Sequence, residues 1–276
     1  MSRLFSILRE ALARYSADGC AFLAQAVSFN AIFGLFPLVV LALSGVSLLV
    51  PDAQARLLGF MTTLSPAVQG YVHDNLQSYI YGRGISSLIA LGFLLWSGKN
   101  LFMALSLALD RILDVPKGRG YLHDLALAIV MLPIIGVLIV IAVALPIAIS
   151  LAATLAHIPD KAHLVQIAAY FISLALVFGI CMVLYAFLPN RVLPWHFGVP
   201  GATFCALIWP LLQYAFTEYT ININFTRIYG ALSVPLALLL WFYLVANLFF
   251  LGAEFSAAWE INHSGVKVVP VKEPLI

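Results

Sequence analysis

The chain has 276 residues, 63% hydrophobic and 9% charged, with a mean hydropathy of +1.03 and a formal net charge of +2. That balance excludes a water-soluble globular domain, and a charge so small and scattered argues against nucleic-acid binding. Three cysteines, Cys20, Cys181 and Cys205, lie in or beside apolar segments without a CxxC pair, so they read as small core residues rather than a disulfide framework.

Residues 1–18 read as an amphipathic helix lying along the cytoplasmic interface. Leu4, Leu8, Leu12 and Tyr15 fall on one face, and Arg3, Glu10 and Arg14 on another. A solvated leader is the alternative. The apolar run 21–50 is about twice the length of a signal-peptide core and lacks a small-residue cleavage site, so it is expected to stay in the protein. Further apolar runs follow at 85–109, 125–151, 164–188, 197–216 and 232–258. At about 1.5 Å per residue, each is long enough to cross a hydrocarbon core of about 30 Å. The expected fold is an all-α polytopic membrane protein: one domain over 1–260 with six transmembrane helices, then a short cytoplasmic tail, 261–276.

An even number of spans puts both ends on one side. With the N-terminus inside, inner segments hold Arg3, Arg9, Arg14, Arg111, Lys117, Arg119, Arg191, Lys267 and Lys272, against Arg56, Arg83, Lys161 and Arg227 outside. This bias predicts cytoplasmic N- and C-termini in a plasma membrane. In the first outer loop, 51–84, Ser65 and Pro66 make a helix start, and Val68, Val72, Leu76, Tyr79 and Ile80 form an apolar stripe. A short amphipathic helix is predicted there, as a cover for the bundle or as a gate. Pro37, Pro133, Pro146, Pro200, Pro210 and Pro235 sit in or at the ends of spans, where each frees a carbonyl and favours a kink.

With the spans placed, the sequence resembles the YihY/BrkB family of bacterial inner-membrane proteins, once misannotated as ribonuclease BN. The resemblance rests on landmarks that keep their order over nearly the whole chain: Leu35-Phe36-Pro37, Trp96, residues 108–113 (ALDRIL), residues 188–194 (LPNRVLP) and Gly201-Ala202. Phe216, Tyr219, Tyr229-Gly230-Ala231, Trp241, Tyr243 and Gly252-Ala253-Glu254 follow. Family members often carry a basic residue late in span five, where this chain has Gln213 and Tyr214. The resemblance implies six helices, both ends inside, and a role in envelope lipid handling, solute export or resistance to host killing.

Ionisable and amide side chains within spans are the candidate functional residues, because each costs a few kcal/mol in lipid unless it is used. Counting residues places Lys99 roughly 9 Å above the inner edge of the core, with Ser28 at about 10 Å, Asn30 at about 13 Å and Asn247 at a similar depth. Gln25 is slightly lower. If the three helices turn these faces together, Gln25, Ser28, Asn30, Lys99 and Asn247 line a polar cavity opening inward that binds substrate. Otherwise Lys99 snorkels to the headgroups and the amides tie helices together. Glu254 lies about 12 Å below Lys99, too far to pair with it, and is expected to find Arg111, Arg191, a helix end or water. Gly252 and Ser256, four apart, would let a neighbouring helix approach closely. The charged stretch Asp110, Arg111, Asp114, Lys117 and Arg119 reads as a topology-setting elbow.

No metal is expected: His157, Asp160 and His163 are close in sequence, but no fourth ligand or known spacing accompanies them. His73-Asp74 and His123-Asp124 are predicted on opposite sides of the membrane, and no GxSxG, P-loop or dinucleotide fingerprint is present. The expectation is a protein that is not an enzyme, takes no cofactor and has membrane lipids as partners. It either transports a lipid or small solute or, as the alternative, scaffolds envelope proteins without moving anything. A homodimer through Ala175 and Gly179 is left open.

Overall fold

The computed structural model describes residues 2–49, 83–115, 122, 125–127, 129–138, 161–190, 193–223 and 228–264. All regular structure among these is helical. In chain order the helices are α1 (Ser2–Ala17), α2 (Cys20–Leu49), α3 (Arg83–Ile112), the shorter apolar α4 (Leu125–Leu138), α5 (Lys161–Phe187), α6 (Gly198–Asn222) and α7 (Ser233–Ser264). One-turn 3-10 helices at Trp195–Phe197 and Gly230–Leu232 lead into α6 and α7. The predicted outer helix beginning at Ser65, residues 157–160 of the expected His157 loop and both His-Asp pairs lie outside the described residues, whereas His163 falls in the first turn of α5.

Four segments are long and apolar enough to cross a membrane: Leu91–Ile112, Tyr170–Phe187, Trp195–Asn222 and Ser233–His263. Leu4–Ala17 with Cys20–Leu35 makes a fifth if that pair, bent by 69°, counts as one span. The all-helical membrane architecture is therefore present, with four or five candidate spans among the described residues. α7 continues to Ser264, into the stretch expected as the tail.

The bend between α1 and α2 follows from Asp18-Gly19. The Asp18 N–H still closes a helical bond to the Arg14 carbonyl, and Gly19 then turns left-handed at φ +67°. There any Cβ would cost about 1–2 kcal/mol. α3 ends in the same way at a less permissive residue. Asp114 has φ +50°, and the Val115 N–H returns to the Asp110 carbonyl at 2.8 Å in a Schellman closure.

α7 is the central element, packing against α1, α2, α3 and α6. In lipid there is little hydrophobic force between helices, so close backbone approach and buried hydrogen bonds hold them together. The α6–α7 crossing has both. A Cβ on Gly201 would overlap the Gly252 carbonyl oxygen, and one on Gly252 would overlap Cys205 Sγ. The Gly201 N–H donates to Ser256 Oγ at 2.9 Å. The approach allowed by the Gly252–Ser256 spacing is thus made by α6. Above and below it, Phe204 stacks on Phe255, and Trp209 packs edge-on to Trp241.

Candidate intramembrane site

The buried end of α7 carries Glu254, fully enclosed at 0% exposure. Its partner comes from the first helix. Arg14 Nε donates to Glu254 Oε2 at 2.9 Å, and an Nη of the same guanidinium donates to the Ile112 carbonyl at the end of α3, also at 2.9 Å. The Cys20 thiol points its hydrogen at Glu254 Oε1 from 3.7 Å. One turn of charge chemistry therefore ties α1, α2, α3 and α7. The sequence reading, which offered Arg111, Arg191, a helix end or water, did not include Arg14, the cation bound to Glu254 among the described residues. The depth count treated α1 as a separate surface helix, whereas Ile7 and Ala11 bury against Phe255 and Ala258 and bring Arg14 onto the carboxylate.

A second bond fixes α1 two turns along α7. The Tyr15 hydroxyl donates to Asn247 Oδ1, and Asn247 Nδ2 donates back to the Tyr243 carbonyl at 2.6 Å. On α2, Ser28 is buried and donates to the Gln25 carbonyl at 2.9 Å, and Asn30 Nδ2 donates to the Ala26 carbonyl at 2.8 Å. Gln25 is exposed and Lys99 half-buried. Of the five candidate substrate residues, Asn247 is thus tied to α1, while these Ser28 and Asn30 bonds stay within α2.

The family landmarks of α3 and α5 meet in another polar junction. Asp110 Oδ1 accepts the Asn190 backbone N–H at 2.7 Å, and Oδ2 accepts its side-chain amide. One turn earlier Ser106 Oγ donates to the Leu188 carbonyl at 3.0 Å. This caps the end of α5, where helix carbonyls and the LPN turn would otherwise lack partners. Pro37 lies within α2, Trp96 is exposed beside Phe93, Tyr229 is exposed and Gly230 has φ +53°.

Between α2, α3, α5, α6 and α7 lies a cavity of about 400 Å³. Val27, Ala31, Leu105, Val177, Leu184, Ala246 and Phe249 supply much of its wall. Ser173, Gln213, Cys181, Cys205 and Trp209 bring the heteroatoms. None of the five polar candidates is among the described lining residues; Val27 and Ala31 face it from positions next to Ser28 and Asn30. The chemistry offered is that of an apolar ligand chamber within the size range of small-molecule sites. No group of three or more metal-ligating side chains occurs among the described residues.

The model of the family described as virulence factor BrkB matches residues 11–272, which takes in every helix above except the start of α1. The chain belongs to the BrkB family. Among relatives, a ribonuclease-like protein of Bacillus subtilis is 24% identical over 260 residues, covering 91% of this chain and 94% of its own length. A UPF0761 membrane protein of Bordetella petrii is 25% identical over 277 residues, covering 96% of this chain but 61% of its own. One from Alcanivorax borkumensis is 23% identical over 276 residues, with 62% of its length covered. The chain thus spans about three-fifths of the length of these two UPF0761 relatives. No solved structure matches. Within this chain, Gly252-Ala253-Glu254 in α7 is the seat of the Arg14 bond, and residues 108–113 and 188–190 are the two sides of the Asp110 cap.

Proposed function

We propose that this BrkB-family membrane protein is a bacterial inner-membrane lipid transporter that admits acyl chains into the chamber between α2, α3, α5, α6 and α7. What supports this is the chamber itself, an apolar cavity of about 400 Å³ walled by helices long enough to span a bilayer. On this reading Lys99, with Gln25, Ser28, Asn30 and Asn247, forms a polar path for the headgroup in the cytoplasmic half of a six-span bundle whose ends both face the cytoplasm. Lys99 would meet the phosphate. The protein is proposed to be no enzyme and to need no cofactor, and lacking a nucleotide motif it moves lipid downhill or with an ion gradient. The ribonuclease-like name of the Bacillus relative is not carried over, because no nuclease constellation is legible in the sequence.

The test is inter-leaflet movement of a fluorescent phospholipid in reconstituted vesicles. Wild type should exceed protein-free vesicles, and Lys99→Ala and Asn247→Leu should each slow it severalfold. Wild type equal to protein-free vesicles, with and without a proton or sodium gradient, removes the transport reading; unchanged variants remove the polar path.

A second reading is a non-transporting scaffold or homodimer. It is favoured by one observation: Ala175 is exposed, and a Cβ on Gly179 would meet nothing within 4 Å, so this small-residue face of α5 is open to a neighbouring helix. Crosslinking from that face should then recover a second copy or one envelope protein, and recovery of lipid alone would count against it.

A further inference from the structure

A separate groove of about 1000 Å³ lies on the far side of the α6–α7 crossing, with α1 as its third wall. Leu4, Phe5 and Leu8 supply the α1 wall, and Phe204, Leu207 and Phe255 much of the rest. The groove is held open from below. Ile7 and Ala11 bury against α7, and Arg14 binds Glu254, so α1 is fixed beside α6 without closing onto it.

Its polarity is graded. The pairs Gly201–Ser256, Cys205–Leu248 and Trp209–Trp241 ascend α6 as they descend α7, so the two helices are antiparallel and His196, before α6, and Glu260, late in α7, fall at one end. Trp195 and Trp259 flank that end, the indole placement typical of a membrane interface. Towards Leu207, 68% exposed, the walls carry carbon almost alone. Two of the three walls are helices able to cross a bilayer, so what reaches the groove at that depth is lipid.

We infer that this groove is a binding site for one membrane phospholipid, its acyl chain laid between α1 and α6 and its headgroup at the His196–Glu260 end. The site depends on the membrane reading and not on transport, so either can fail alone. An apolar body and a polar mouth suit an amphiphile, whereas a soluble peptide would leave Leu207 and its neighbours in hydrocarbon.

The test uses the full chain in vesicles of phosphatidylethanolamine and phosphatidylglycerol carrying a trace of phosphatidylethanolamine with a photoactivatable acyl chain. After irradiation, adducts are mapped by peptide mass spectrometry. Groove residues should carry at least fivefold more label than Phe171 or Leu211, which are comparably exposed apolar side chains on α5 and α6. Thr203→Trp, filling the groove, should bring the label down to that background, and Leu207→Trp, one turn further along α6, repeats the comparison. Label spread evenly over the exposed apolar faces, or unchanged in the filled variants, overturns the site.

Discussion

Replacing Arg14 with methionine leaves the Glu254 carboxylate sealed inside the α1, α2, α3 and α7 junction after the loss of a 2.9 Å charged bond, and frees the Ile112 carbonyl from its guanidinium donor. Removing one partner of a buried ion pair typically costs about 3–5 kcal/mol. A penalty of about 3 kcal/mol is expected, and it should appear as detachment of α1 from α7, roughly a 100-fold rise in the opening equilibrium. Cys20 reports that opening, being fully buried beside Glu254. The assay is the rate of maleimide modification of Cys20 in the purified protein, read peptide by peptide so that Cys181 and Cys205 do not interfere. Arg14→Met should speed Cys20 labelling by roughly 100-fold, and adding Glu254→Gln should recover most of the protection, because the fully buried carboxylate is then gone and only the half-buried Asp18 remains beside it. A labelling rate in Arg14→Met within twofold of wild type would refute the argument.

Further substitutions follow from the same structure. Gly201→Ala and Gly252→Ala force a Cβ into opposing backbone or side-chain atoms and should each cost about 1–3 kcal/mol, seen as a lower thermal midpoint in detergent. Gly92→Ala and Gly179→Ala meet nothing within 4 Å and should match or exceed wild type. Asp110→Ala orphans the Asn190 backbone N–H and amide, at about 1–3 kcal/mol for a buried donor, so its thermal midpoint should fall, with Asp110→Asn falling less because it keeps an acceptor oxygen.

The membrane class was legible because hydropathy integrates over whole helices, and a run such as 232–258 leaves no other solvent possible. Helix ends were read less well. α6 runs on to Asn222 and α7 to Ser264, since polar residues at a boundary continue a helix at little cost. The small-residue crossing was half legible: Gly252 and Ser256 announce a close approach by their spacing, but nothing in one sequence names Gly201 as the visitor. Arg14 was missed because its position on the polar stripe of α1 is what a solvated arginine would also show. Only the turn at Asp18-Gly19 brings it onto α7. Tyr15, at the end of the apolar stripe, likewise hides a hydrogen bond behind a hydrophobic face. Depth arithmetic placed Lys99, Ser28, Asn30 and Asn247 in one slab but carried no azimuth, and the chamber wall turns out to be made by Val27, Ala31 and other apolar neighbours. Gln213, recognised only as a departure from the family pattern, lines that chamber.

The central claim, that the chamber between the spans holds an acyl chain, is tested most directly by native mass spectrometry of the detergent-purified protein. Wild type is compared with Ala31→Phe, which places a ring in the chamber from α2. Wild type should retain one more lipid than Ala31→Phe, with both proteins eluting as the same species. Equal lipid occupancy in the two, or none in wild type, would contradict it.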